Sequence, residues 1–88
     1  MKWNFALRKK RLKHRELLKK LKQFGVVEDK RRGKGSERML IKDSGFDKNY
    51  QGPQIPIKYH GENTEYSPKI TDAILRTFGI DPEKFWKD

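Results

Sequence analysis

The apolar residues of this 88-residue chain lie in a few short stretches, and their spacing changes along the sequence. Over residues 14–24, and again over 70–78, they recur every three or four residues, which is the spacing of one helical face. Between these segments, residues 26–59 contain short β-branched and alternating runs interrupted by Gly, Asp and Pro, which is typical of strands and turns. The pattern therefore predicts an α-β-β-β-α order with a three-stranded antiparallel sheet.

Two amphipathic helices are predicted to flank the strands. The first runs from His14 to Phe24 and ends at Gly25, with apolar residues on one face and lysines on the other. The second begins at Ser67, an N-cap residue followed by proline in the first helical position, and ends at Gly79. The buried faces are expected to comprise Leu17, Leu18, Leu21 and Phe24 in the first helix, and Ile70, Ala73, Ile74 and Phe78, flanked by Leu75, in the second.

Three strands are predicted. The first begins at Val26, the second spans Glu37–Lys42 and the third spans Gln54–Tyr59. Pro56 has no amide hydrogen for a ladder, which indicates that the third strand lies at a sheet edge. With both helices on one face of the sheet, the fold class is α+β. A short C-terminal helical turn, started by Asp-Pro, carries an adjacent Phe-Trp pair that is expected to pack against itself or the domain.

The charge of the chain is large and unevenly distributed. There are 22 Lys and Arg residues against 12 Asp and Glu, a net charge of +10. Residues 1–44 hold 16 of the cations and 5 of the acids, whereas residues 45–88 hold 6 and 7. Such a basic half favours a polyanionic partner, with nucleic acid first and anionic membrane surfaces second. Residues 1–12 are interpreted as a basic N-terminal leader, and residues 13–88 as a single domain.

Composition excludes several classes of protein and of site. The chain has no cysteine and only two histidines, so neither a disulfide scaffold nor a zinc site is expected. No apolar stretch approaches the roughly 20 residues of a membrane-spanning helix. No apolar segment of a signal peptide follows the basic start. We therefore expect a cytoplasmic protein that uses no metal and no cofactor.

A basic loop between the first two strands is the most specific feature of the charge pattern. Within it, Gly33 and Gly35 flank Lys34, and glycines let backbone amides approach an anion. The pattern leaves open whether this loop is a phosphate-binding nest or a plain strand connection. The candidate nucleic-acid-binding residues in the loop and the neighbouring strands are Lys30, Arg31, Arg32, Lys34, Arg38 and Lys58.

Several short motifs, taken in order, make the chain similar to the HicA toxin family. They are an amphipathic Glu-Leu-Leu helix ending in Phe-Gly, the Lys34-Gly35-Ser36 corner that opens the second strand, a Pro…His-Gly segment from Pro56 to Gly61, and a helix ending Ile74 to Ile80. Together they cover about three quarters of the chain. The resemblance implies a fold like that of double-stranded-RNA-binding domains, cleavage of mRNA without a metal, and neutralisation by an acidic HicB-like antitoxin protein.

One position departs from the family pattern. Where the family has the histidine thought to carry catalysis, directly after the Gly-Ser corner, this chain has Glu37. A carboxylate can act as a general base, and His60 is the second candidate catalytic residue. If the second and third strands are neighbours, Glu37, His60 and Lys58 can form a group. Arg38 should instead face the other side of its strand, because successive strand residues alternate.

Two alternatives stand beside a HicA-like nuclease. With Glu37 in place of the histidine, the domain could bind structured RNA without cleaving it. A membrane-surface function would instead use residues 3–22, whose cations and leucines suit an interfacial helix. Trp3 and Phe5 could stack on bases, but they are expected to pack on the domain. His14 lies between two cations and is expected to be a solvated helix residue.

Overall fold

The computed structural model describes residues 8–33, 35–43 and 49–87. Within this part of the chain the elements are β1 (Leu12–Lys13), α1 (His14–Lys22), β2 (Val26–Asp29), β3 (Glu37–Lys42), β4 (Gln54–Lys58), β5 (Glu65–Tyr66), α2 (Pro68–Phe78) and α3 (Pro82–Phe85). The α+β class and the α-β-β-β-α order are confirmed, and the short turn α3 lies where Asp-Pro predicted it. Lys34, Trp3 and Phe5 lie outside the described residues.

The central sheet has the order β2-β3-β4, and both pairs of strands are antiparallel. Strand β3 has the predicted bounds, and β4 ends one residue earlier than predicted, at Lys58. Because β4 pairs only with β3, the prediction that Pro56 lies on an edge strand is confirmed. Directly opposed residues share a face of the sheet, so the register determines which side chains meet.

The hydrophobic core lies between one face of this sheet and the helices. Val26 of β2, Leu40 of β3 and Ile57 of β4 alternate onto that face and are buried. The helices and the C-terminal segment cover them with Leu17, Leu21, Ile74, Leu75, Phe78, Ile80, Phe85 and Trp86. The adjacent rings of Phe85 and Trp86 meet edge to face at 5.1 Å, which confirms that these aromatics pack against each other and the domain.

Helix α1 has the predicted amphipathic arrangement. Leu17 and Leu21 are fully buried in the core, and Leu18 and Phe24 pack at its margin. The helix ends at Lys22, two residues before the predicted end at Phe24, and Gly25 takes a φ of 76° three residues further along the chain. The leucines of its apolar face pack toward the core. None of the described helices is long and apolar enough to cross a membrane.

The buried face of helix α2 differs from the prediction at one residue. Ile70 is 38% exposed, whereas Thr71 is fully buried beside Ile74, Leu75 and Phe78. Thr71 can occupy this position because its hydroxyl donates a hydrogen bond to the Ser67 carbonyl and so is not left unsatisfied. The predicted caps are confirmed: the Ser67 side chain accepts from the Ile70 amide, and the C-cap glycine has a φ of 67°.

A second, two-residue ladder was not predicted. Leu12 of β1 pairs with Tyr66 of β5, and Lys13 pairs with Glu65. Leu12 is fully buried, so the chain joins the core before α1 begins. This pairing places the start of α1 beside the end of β4, which becomes important for the candidate site. Runs of two residues are too short to show a strand period in the sequence.

Candidate nucleic-acid interface

One end of the central sheet gathers most of the predicted site residues. We call this the loop end: it comprises the C-terminal end of β2, the basic loop, the N-terminal end of β3 and the C-terminal end of β4. Glu37 lies directly opposite Lys58, and the Tyr59 amide donates a hydrogen bond to the Ser36 carbonyl just beyond that pair. The predicted site residues at the loop end are Lys30, Arg31, Arg32, Glu37, Arg38, Lys58 and His60.

The base of the basic loop is held by one buried carboxylate. The Asp29 side chain is only 2% exposed and accepts from the Arg31 amide at 2.9 Å, from Arg31 Nε at 3.2 Å and from Arg32 Nε at 2.9 Å. The hydrogen bond from the Arg31 side chain is the main reason that the pKa of Asp29 lies below its ordinary value, although burial opposes this. The Arg31 side chain is 69% exposed, so its guanidinium still faces solvent. Lys30 is exposed beside it.

Gly33 packs the loop against the beginning of β3. A Cβ atom at this position would collide with the backbone carbonyl of Glu37. The close approach requires glycine and keeps the cations of the loop next to Glu37. The Arg32 guanidinium lies 5.4 Å from the centroid of the Tyr50 ring, which is within the range of a cation–π interaction. This interaction gives the loop a second point of attachment.

The three residues predicted to group at the site are arranged as follows. Glu37 and Lys58 share the sheet face that points away from the helices, because they are directly opposed. His60 follows in the turn after β4, where its amide donates to Thr64 Oγ1 at 2.7 Å and Gly61 takes a φ of 116°. All three side chains are exposed. Within the described residues, no hydrogen bond or ion pair joins their side chains.

Arg38 faces the other side of β3, as strand alternation predicts. Its Nη1 donates to Glu28 Oε2 at 2.7 Å, and its guanidinium lies 3.9 Å from the centroid of the Tyr59 ring. The side chain is 23% exposed, so Arg38 lies at the rim of the helix-covered face. It is therefore separated from Glu37 by the thickness of the sheet.

His14 is not solvated, and the prediction for it is wrong. The residue is 1% exposed, with Nδ1 2.9 Å from the Tyr66 hydroxyl and Nε2 2.9 Å from Glu28 Oε1. Its ring also meets Tyr59 edge to face at 4.5 Å. The partners come from β2, from β5 and from the residue after β4, so only the tertiary structure brings them to the first residue of α1. We call His14, Glu28, Arg38, Tyr59 and Tyr66 the His14 cluster.

The side chains of the His14 cluster are joined by hydrogen bonds. The Tyr66 hydroxyl donates to the Lys58 carbonyl at 2.7 Å and lies 2.9 Å from His14 Nδ1. An ionised Glu28 can only accept, so His14 Nε2 donates to it. Burial raises the pKa of Glu28, but the hydrogen bonds and charges of His14 and Arg38 outweigh it and bring the pKa below its ordinary value. Burial also raises the pKa of Tyr66 to about 12.

Sequence reasoning missed Glu28, Asp29, Tyr59 and Tyr66 as partners of the site. The acidic pair directly before the basic loop was the available signal for Glu28 and Asp29, because cations close in sequence need counter-charges. No local signal indicates the two tyrosines. The described residues contain no group of three His, Cys, Asp or Glu side chains placed to hold a metal ion.

Comparison with known proteins found no matching family model, no matching curated protein and no matching solved structure.

Proposed function

We propose that this protein is a HicA-like toxin that binds RNA at the loop end of the sheet and cleaves it without a metal. One observation carries the proposal. The β3–β4 register brings Glu37 opposite Lys58, two residues before His60, and Gly33 packs the basic loop against the Glu37 carbonyl, although about 20 residues separate Glu37 from Lys58 in sequence. The candidate acid–base side chains thereby lie next to the cations that would bind phosphate.

The binding step rests on the exposed cations of the loop end. Lys30, Arg31 and Lys58 present positive charge to solvent from two neighbouring segments. Asp29 holds the loop but its single charge does not balance these cations. Each phosphate that such cations neutralise releases counterions, so RNA affinity should fall steeply as salt rises.

The cleavage step uses the 2′-hydroxyl of the RNA as nucleophile. Glu37 takes the proton from this hydroxyl while O2′ bonds to the adjacent phosphorus. Lys58 stabilises the added negative charge on the phosphorane. The bond from phosphorus to O5′ then breaks, and His60 donates a proton to the leaving oxygen. The products are a 2′,3′-cyclic phosphate and a 5′-hydroxyl, and no metal is required.

An RNA-binding module without nuclease activity is the second candidate. It is favoured by the absence of any hydrogen bond or ion pair between the side chains of Glu37 and His60 within the described structure, and by the cross-strand position of Lys58 opposite Glu37. In this case Glu37 would serve to balance the charge of Lys58. The shape and phosphate contacts that recognise structured RNA would be retained.

The proposal includes an acidic HicB-like antitoxin. Such a protein would cover the same cations that bind RNA, so toxin inhibition and RNA binding would compete. Residues Lys30, Arg31 and Lys58 would then contact both partners, at different times.

The test is RNA cleavage by the purified protein in EDTA, with Glu37→Ala and His60→Ala beside a matched Glu83→Ala control. Glu83 is an exposed acid on α3, away from the loop end. We expect the control to cleave like the original chain. Each site variant should lose about 100-fold or more in rate, the usual contribution of one general acid or base.

The remaining outcomes separate the candidates. Tight, salt-sensitive RNA binding with no cleavage by the original chain would establish the binding module. Equal cleavage by all four proteins would remove Glu37 and His60 from the mechanism. Absence of RNA binding by the original chain would contradict both candidates.

A further inference from the structure

The turn that follows β4 is held together by the side chain of Thr64. Its Oγ1 accepts a hydrogen bond from the His60 amide at 2.7 Å and donates one to the Gly61 carbonyl at 2.8 Å. The Thr64 amide donates to the same carbonyl at 3.1 Å. A hydroxyl has one proton to donate and lone pairs that accept, so Oγ1 can form both of its bonds at once. This hydroxyl therefore closes the turn from His60 to Thr64.

The turn is also attached to the domain at its two ends. At its start, the Lys58 carbonyl accepts a hydrogen bond from the Tyr66 hydroxyl at 2.7 Å. At its end, the Thr64 carbonyl accepts from the amide of His14, the first residue of α1, at 2.7 Å. Thr64 therefore connects the backbone of His60 to the first helix.

The side chain of His60 has no comparable attachment. It is exposed, and among the residues that the structure describes its ring has no hydrogen-bond or ion-pair partner. The ring turns about its own side-chain torsions, so the region that it can occupy is set by the position of its backbone. That backbone is held through its amide by Thr64 Oγ1.

We propose that Thr64 is a positioning residue for His60. The inference rests on the proposed function, in which His60 donates a proton to the leaving O5′ of RNA. A general acid must lie within hydrogen-bond distance of the atom that it protonates. A displacement of about 1 Å can reduce a rate about 100-fold, even when the substituted residue lies away from the reacting atoms. Thr64 acts here through the His60 amide rather than by contact with RNA.

Substitutions at Thr64 test its hydroxyl separately from its size. Thr64→Val replaces the hydroxyl with a methyl group, Thr64→Ala removes it without adding one, and Thr64→Ser keeps it. Thr77→Val is the matched control, because Thr77 Oγ1 donates to the Ala73 carbonyl within α2 at 2.9 Å. Thr77 is next to Phe78, whose ring lies near Lys42 at the end of β3 opposite to the loop end.

The first measurement is amide hydrogen exchange of the full chain without RNA, which does not depend on catalysis. Exchange of the His60 amide should accelerate about tenfold in Thr64→Val and Thr64→Ala, the effect of losing one hydrogen bond. It should be unchanged in Thr64→Ser and Thr77→Val. The Leu40 amide in the central sheet is the internal reference. Unchanged exchange at His60, or equal acceleration at His60 and Leu40, would overturn the proposal.

The second measurement is the kinetics of RNA cleavage in EDTA. Thr64→Val and Thr64→Ala should lower kcat about tenfold or more with little change in KM, because Lys30, Arg31 and Lys58 still bind the phosphates. Thr64→Ser should restore the rate, and Thr77→Val should cleave like the original chain. An equal fall in kcat in Thr64→Ser or in Thr77→Val would show a general effect on the fold and would contradict positioning by the hydroxyl.

The two proposals can fail separately. Absence of cleavage by the original chain would contradict the nuclease, and exchange of the His60 amide would still decide whether Thr64 holds that residue in place. Unchanged exchange in Thr64→Val together with cleavage that depends on Glu37 and His60 would contradict only the function assigned to Thr64.

Discussion

At the scale of single residues, the adjacent carboxylates Glu28 and Asp29 have separate functions because they alternate across β2. Glu28 faces the helices and holds His14 and Arg38. Asp29 faces the other side and holds the arginines that follow it in the loop. Two neighbouring acids thereby connect the loop end both to α1 and to the basic loop.

Glu28→Gln should destabilise the fold. The substitution removes the carboxylate that accepts hydrogen bonds from the buried His14 ring and from the Arg38 guanidinium. A cost of about 2 kcal/mol in the free energy of unfolding is expected for a partly buried pair that loses one partner. Glu37→Gln, an exposed substitution on the neighbouring strand, should change it by less than about 0.5 kcal/mol. Urea denaturation measures both, and equal midpoints would contradict the proposed His14 cluster.

Acid should destabilise the protein through the same two carboxylates. The pKa values of Glu28 and Asp29 lie below their ordinary values of 4.5 and 3.8 in the folded state. Their stabilisation is therefore complete above those values and is lost as the pH falls through the lower, folded-state pKa of each group. Urea midpoints measured between pH 6 and pH 2 should decline in this acidic range. Asp29→Asn should show a smaller decline, and an unchanged pH profile would contradict its pairing.

At the scale of elements, the connection between β2 and β3 is a packed loop. Asp29 anchors its start, and Gly33 lies against the Glu37 carbonyl at its end. The loop therefore presents its cations in a defined position beside β4. This organisation reduces the conformational entropy that the loop loses when it binds a polyanion.

Gly33→Ala should displace this loop. The added methyl group collides with the Glu37 backbone, which cannot move without breaking the β3–β4 pairing. We expect a loss of about 1–3 kcal/mol in the free energy of unfolding, typical of overpacking, and weaker RNA binding. Ser36→Ala, an exposed substitution in the same loop, is the matched control. Calorimetric melting and RNA titration of both variants provide the measurement, and identical behaviour would show that the loop tolerates a side chain at position 33.

At the scale of the whole molecule, the positively charged side chains outnumber the carboxylates that pair with them. Within the described residues, carboxylates form ion pairs with Lys9, Arg11, Arg31, Arg32 and Arg38. The other described lysines and arginines of residues 8–43 form no ion pair with described residues. Exposed positive charge at the loop end therefore favours a polyanion there.

Removal of one phosphate-contacting cation should be visible in the salt dependence of RNA binding. Lys58→Gln should reduce the slope of log affinity against log salt by about 0.7, the value for one contact to single-stranded nucleic acid. Lys84→Gln on α3 should leave the slope unchanged. The measurement is fluorescence anisotropy at several salt concentrations, and equal slopes for the two variants would place the RNA elsewhere.

The order of the elements could be predicted from local patterns, because periodicity and caps depend on residues close in sequence. Ser67, Gly79 and the bounds of β3 could be predicted from neighbouring residues. The sequence could predict that the candidate residues lie close together only if the second and third strands are neighbours. The register that opposes Glu37 to Lys58 meets this condition.

The burial of polar residues depends on contacts between segments that are distant in sequence. His14 lies between two cations in sequence, yet it is buried because Glu28 and Tyr66 reach it from distant strands. Ile70 is exposed and Thr71 is buried, because packing against the sheet sets the orientation of α2. The physical reason is the same in both cases: a local pattern indicates which residues can share a face. Burial also requires partners that contribute apolar contact or hydrogen bonds, and these come from elsewhere in the chain.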